Sequence, residues 1–375
     1  MHPWLSTLSH RLLALTQPWR DFAKPGPRLV DEFECALAVM LAIAFAHGIG
    51  ASNVAWAAYS AYMVMRGHVR DTLLRGSLRI VGTGVGALLA VGLVPLVIGN
   101  VISCVAACAI VGGVTLYLSL IGKRSYAWLF LGLTFEMILL DKLERPSEAI
   151  DGFALTRFLE VVAGTAAGLV VSAMSTWTVR RRWPAARVAA GVGLGWQPNA
   201  VRHAAQGAVA LAALPLLWAW FKIPELAQGS ITIMASMLVP VTSLAGSALV
   251  PVSRRLVYRA IGCLSGSLVA AVALLVAKPF AAMLVAATFA GVMIGRHVEN
   301  SGSRIAYAGT QFVLALLVVL VPDSFANADI EPAIERLIGI LMGLVVLEPV
   351  LVIWHLVAPR FIAADDASGK VSPRR

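Results

Sequence analysis

Charge is scarce in this sequence. Of its 375 residues only 13% are Asp, Glu, Lys or Arg, about half of the roughly 25% usual in a soluble domain. A soluble chain of this size must clothe its surface in polar groups. A soluble enzyme, a secreted disulfide scaffold and a disordered tail are therefore excluded. Cysteine is scarce as well. Cys35, Cys104, Cys108 and Cys263 all fall in or beside apolar runs, which is no disulfide framework. Cys104 and Cys108 share a helix face, but no His or carboxylate stands near them in the sequence, so no metal site is expected. No Ser/His/Asp arrangement, Cys/His cluster or haem motif points to an enzyme, and no cofactor is expected. Gly82-Thr83-Gly84-Val85-Gly86 lacks the preceding strand and the lysine of a phosphate-binding loop.

What the sequence has is hydrocarbon. Hydrophobic residues make up 59% of it, and the mean hydropathy is +0.82. The apolar runs are about 20 residues each, enough to cross about 30 Å of bilayer core. The fold class expected is an all-α polytopic membrane protein. Spans are predicted near 34–52, 54–65, 78–98, 101–121, 126–140, 153–178, 200–221, 226–244, 257–277, 279–295, 304–322 and 332–357. The second and fifth are short, either little tilted or re-entrant. Before them, Trp4, Leu5, Leu8, Leu12, Leu15 and Trp19 recur at roughly helical spacing, which fits either an interfacial helix or a short tail. His10 and Arg11 interrupt that stretch, so it is no cleaved signal peptide.

The formal net charge is +10, but the cations sit in short loops and read as topology signals rather than a nucleic-acid surface. With a cytoplasmic N-terminus, 24 of the 30 Lys and Arg fall on the inner side, and the outer loops hold mainly acids such as Asp141, Glu148, Glu225 and Asp323. That alternation supports twelve spans with both termini cytoplasmic.

The chain also repeats itself. Shifted by 180 residues, Arg75, Arg79, Gly82 and Gly86 fall on Arg255, Arg259, Gly262 and Gly266; Tyr126 falls near Tyr307, and Arg157 near Arg336. Six spans read twice give a parallel repeat about an axis along the membrane normal. The expected organisation is a cytoplasmic tail over 1–32, a first repeat over 33–179, a basic linker over 180–199, a second repeat over 200–358 and a cytoplasmic tail over 359–375. Glycines four apart in spans 3, 6, 9 and 12 let helices approach closely, either as a static seam or as one between moving helices.

Ionisable residues inside spans are informative because an unpaired charge in hydrocarbon costs at least a few kcal/mol. Glu136, Arg157 and Glu160 lie at similar depth on spans 5 and 6, and the sequence predicts a cluster of all three, either a proton-coupling or anion-binding site or a static buried ion pair. Arg336 is the counterpart of Arg157, and Glu348 lies deeper in span 12. Arg79 and Arg259 are either snorkelling anchors or a guanidinium ring that draws in an anion. Trp56 and Tyr59 share a face and either stack an aromatic substrate or belong to an interfacial belt. Gln311 is interhelical glue or a pore-lining amide.

At these residues the sequence resembles the fusaric acid resistance (FUSC) family, which includes the aromatic acid exporters. The stretch from Asn53 through Trp56-Ala57, with Arg79-Ile80-Val81-Gly82-Thr83-Gly84-Val85-Gly86, is similar to its N-x-x-W-A and R-x-x-G-T-x-x-G pattern. Tyr307-Ala308-Gly309-Thr310-Gln311 and Arg336-Leu337-Ile338-Gly339-Ile340 are similar to its Y-x-G-x-Q and R-x-x-G-I segments. The resemblance implies an exporter of aromatic or other organic acids in the inner membrane of a Gram-negative bacterium, often working with a periplasmic adaptor. Larger members carry soluble domains after each helical half, whereas here the linker and tail are short. Plant malate channels resemble the same family, so a passive organic-anion channel is the alternative to a proton-coupled exporter. A non-transporting scaffold and a major facilitator protein are weaker readings. The expected partners are the lipid bilayer and the organic anion; a periplasmic adaptor is the alternative to working alone, and a homo-oligomer the alternative to a monomer.

Overall fold

A computed structural model describes residues 24–185, 193–244, 248–277, 280–321 and 331–368. The amphipathic stretch expected before Lys24 and the middle of the basic linker lie outside these residues. Among the described residues the fold is helical without strands, as expected for a polytopic all-α membrane protein. Among the described residues twelve principal helices follow one another. The first half contains α1 (Pro27–Gly48), α2 (Val54–Val64), α3 (Val69–Val97), α4 (Val101–Ile121), α5 (Ser125–Glu144) and α6 (Ile150–Trp177). The second contains α7 (Pro198–Phe221), α8 (Leu226–Met237), α9 (Leu249–Ala277), α10 (Ala281–Glu299), α11 (Ala306–Leu320) and α12 (Glu331–Ser368). Seven of them (α3, α4, α6, α7, α9, α10 and α12) are long and apolar enough to cross a membrane.

Helix boundaries depart from the apolar windows where a helix begins or ends in charge. Pro27 opens α1 in the first turn, where its missing N–H costs nothing. Helix α3 starts at Val69, because the polar turns around Arg70, Asp71 and Arg75 continue the helix beyond its apolar part. Helix α5 is not short: its last turn, with Asp141, Lys142 and Glu144, extends it to 20 residues. Helix α2 is short as expected, at 11 residues, whereas α8, expected over 226–244, ends at Met237 after 12, about 16–18 Å at 1.5 Å per residue. The chain then turns back within the bundle, where Met65 and Val239 are buried.

The two halves pack by the same rules. In the first, α3 lies along α5, and α6 covers α1, α2 and α3; in the second, α9 lies along α11, and α12 packs on α7, α8 and α9. The halves also interlock: α10 packs on α1, and α4 on α7. Glycine makes the tightest seams possible. A Cβ on Gly82 would run into the Ala127 carbonyl, and one on Gly262 into the Ala308 carbonyl, the equivalent contact.

Candidate functional site

The ends of the two short helices set the site. A helix that stops inside a low-dielectric bundle leaves its last carbonyls without partners. Arg75 Nε donates to Met63 O at 2.9 Å, in the last turn of α2, and Arg255 Nε donates to Ala235 O at 3.0 Å, in the last turn of α8. Each guanidinium also lies over a tyrosine: Arg75 is 4.1 Å from the Tyr126 ring centroid and Arg255 is 4.0 Å from that of Tyr307. One turn on, Arg79 Nε donates to Ser60 Oγ at 3.2 Å and Nη1 to the Tyr126 hydroxyl at 3.3 Å. Arg259 repeats this with Thr232 Oγ1 at 3.2 Å and the Tyr307 hydroxyl at 3.4 Å.

Between these helices lies a cavity of about 220 Å³. Six arginines line it: Arg75, Arg79, Arg157, Arg255, Arg259 and Arg336. Arg79, Arg259 and Arg336 are at most 4% exposed. Among the described residues Arg157 alone of the six forms an ion pair, its Nη1 standing 3.0 Å from Glu160 Oε2. Arg336 Nε is buried and makes no hydrogen bond among them. The remaining wall is mainly aromatic and aliphatic, with Trp56, Tyr59, Phe130 and Leu314, and carries the neutral polar groups of Thr83, Thr134, Thr310 and Gln311. Trp56 and Tyr59 meet edge to face with centroids 5.4 Å apart. A buried space with several cations, one carboxylate partner and aromatic walls has the composition of an organic-anion site.

The structure thus brings Trp56, Tyr59, Arg79, Arg157, Arg259, Gln311 and Arg336 to one cavity. Glu136 does not join them, which corrects the expected three-residue cluster. Leu133, Thr134 and Met137 of α5 face the cavity, whereas Glu136 points to Gly112 of α4, in a π-helical turn over Cys108–Gly112. Its two carboxyl oxygens are buried and make no hydrogen bond by ordinary geometry among the described residues. Cys108, whose thiol belongs to the same contact, is buried too. Glu348 lies elsewhere, accepting from Ser253 Oγ at 3.0 Å.

Sequence reasoning missed a second polar assembly, where α1 meets α10. Arg180 Nη2 stands 2.5 Å from Glu34 Oε2 and 3.6 Å from Asp31 Oδ1. Arg296 joins Asp31 at 2.8 Å and Glu299 at 3.2 Å, and it donates to Met65 O at 3.3 Å. His297 Nδ1 meets Glu32 Oε1 at 2.7 Å. In the sequence Arg180 and Arg296 stand among the inner-side cations, which read as topology signals. The available signal was the run of three acids, Asp31, Glu32 and Glu34, on the side of the chain otherwise rich in cations.

Comparisons with curated proteins and with solved structures give no match. Residues 33–191 match the Fusaric acid resistance protein family. The match covers most of the first helical half, and the second half repeats the geometry of the first.

Proposed function

We propose that the chain carries organic anions across a bacterial inner membrane through the arginine-lined cavity, as an exporter of aromatic or related acids. The observation that carries this reading is the charge imbalance of the cavity: six arginines line it and one of them has a carboxylate partner. Removing ions from water costs several kcal/mol each unless something of opposite charge replaces the solvent. A bound carboxylate supplies that charge, and Trp56, Tyr59 and Phe130 supply apolar surface for a ring.

Coupling to protons is the finer part of the proposal. Glu136 supports it, as a carboxyl group buried in the bundle beside an irregular turn of α4. Such turns are frequent at functional sites, and a passive channel needs no carboxylate there. The test is uptake of labelled aromatic carboxylates by inside-out vesicles, with and without a protonophore. Accumulation against a gradient that the protonophore collapses is the expected result. Equilibration without accumulation would replace the exporter by a channel, and absence of flux with every acid offered would overturn the transport of aromatic acids.

A further inference from the structure

The two halves present the same arginines to the cavity but different walls. The offset of 181 residues that carries Tyr126 onto Tyr307 carries Phe130 onto Gln311. Ser60 and Thr232 accept from the equivalent arginines Arg79 and Arg259, and the residue before each is Tyr59 in the first half and Ile231 in the second. Phe130, Gln311, Tyr59 and Ile231 all line the cavity. Arg79 is therefore held against a ring, its guanidinium 4.0 Å from the Phe130 centroid, whereas Arg259 donates to Gln311 Oε1 at 2.9 Å.

That hydrogen bond fixes the amide. A guanidinium only donates, so Oε1 must face Arg259 and Nε2 must turn away. Gln311 Nε2 makes no hydrogen bond among the described residues, and its side chain borders the cavity. The charges differ between halves in the same sense. Arg157 has Glu160 three residues on, at 3.0 Å. The position equivalent to Glu160 beside Arg336 is Gly339, so Arg336 lacks that carboxylate. The first half thus offers aromatic faces, one of them held against Arg79, and in Arg157 a neutralised arginine. The second offers a free amide donor and arginines without counter-charge.

We infer that the cavity holds an aryl carboxylate in a single orientation, its ring against Trp56, Tyr59 and Phe130 of the first half and its carboxylate at Arg259, Gln311 and Arg336 of the second. A pseudo-symmetric frame has been made into a one-way receptor by exchanging its walls. This inference rests on the cavity being an organic-anion site, and the test separates the two. Binding of benzoate and of cyclohexanecarboxylate is measured on the purified full chain; the probes match in charge and nearly in size, and differ in the π face. The parent protein binds benzoate more tightly. In Phe130→Leu the preference for benzoate falls by about fivefold, the size of an aromatic pair contact. In Gln311→Leu both acids weaken by about tenfold and their ratio stays that of the parent. Trp56→Leu, on the same wall as Phe130, repeats the first measurement should Phe130→Leu not fold. Equal loss of preference in the Phe130 and Gln311 variants would mean that the ring binds either way round and would overturn the orientation. No binding of either acid by the parent would overturn the anion site itself and the orientation with it.

Discussion

Arg259→Gln asks whether the cavity arginines serve a ligand or the fold. The guanidinium is 2% exposed. Its acceptors are Thr232, Tyr307 and Gln311, at 3.2, 3.4 and 2.9 Å, all of them neutral. Burying an ion costs several kcal/mol even after relaxation, and hydrogen bonds from a charged donor return about 1.5–3 kcal/mol each when well formed. These opposing terms nearly cancel. Arg255 then tips the balance. It lies one turn away, with about 6 Å between Cβ atoms, and two like charges roughly 7 Å apart repel by about 2 kcal/mol at an effective dielectric constant of 20. The ligand-free variant is therefore expected to be more stable than the parent by about 1 kcal/mol, a Tm rise of about 2 °C. Its affinity for benzoate should fall by 10- to 100-fold as a charge-assisted contact is lost, by about 1.5–3 kcal/mol. The assay is a thermal melt of the solubilised protein with and without benzoate, combined with equilibrium binding. A Tm lower by several degrees without ligand, with affinity unchanged, would mean that Arg259 is a structural cation and would refute the reasoning.

Glu34→Gln should act in the opposite direction: it leaves a buried Arg180 without its closest counter-charge, which costs about 3–5 kcal/mol, and a Tm within one degree of the parent would remove the network's role in joining α1 to the linker end of α6. Gly82→Val and Gly262→Val should each cost about 1–3 kcal/mol or more of stability and lower Tm by similar amounts, because both overlap a backbone carbonyl, while Gly92→Val, where a Cβ meets nothing within 4 Å, should leave Tm unchanged; a Gly92 effect as large as the other two would show that helix propensity, not the seam, is being read. Glu225 lies between α7 and α8, and burial together with Glu335 and Glu144 pushes its carboxyl up from about 4.5 to about 7. The folded chain thus holds that proton more tightly than the unfolded chain, so this stabilisation is complete below pH 4.5 and is lost as pH rises to 7. In Glu225→Gln the plot of Tm against pH should flatten across that window, and an unchanged slope would assign the pH dependence to other groups.

The helices were legible because hydrocarbon runs of fixed length carry their own period, and the repeat was legible because Arg75, Arg79, Gly82 and Gly86 recur at one offset. Arg79, Arg259, Arg157, Arg336, Trp56, Tyr59 and Gln311 could be named from the sequence, since each is polar or aromatic inside an apolar span. What could not be read was the rotation of each helix. Glu136 and Met137 are neighbours in sequence, yet only Met137 faces the cavity; the mean face of α5 is nearly uniformly apolar, so no stripe reveals which side turns inward. The network around Glu34 and Arg296 was hidden for another reason. Its members are 146 or more residues from their partners in several of the contacts, and charges at a helix end look the same whether they meet water or one another.

The six cavity arginines are not equivalent, and the difference follows from the short helices. A helix C-terminus carries roughly half a negative charge on its free carbonyls. Arg75 and Arg255 are bound to the carbonyl ends of α2 and α8, so part of their charge is answered by the fold. Arg157 is answered by Glu160. Arg79, Arg259 and Arg336 have no carboxylate partner among the described residues, and in the proposed function the bound anion supplies it. Removing Arg75 therefore exposes what Arg259 does not: the half-buried Met63 carbonyl loses its donor, worth about 0.5–1.5 kcal/mol, and Tyr126 loses a cation above its ring, worth about 0.5–2 kcal/mol. Arg75→Gln should lower Tm where Arg259→Gln raises it. Ligand-free melts of the two variants side by side measure this difference directly. Shifts of the same sign would mean that the carbonyl ends of the short helices do not divide the arginines into a fold-bearing and a ligand-bearing set.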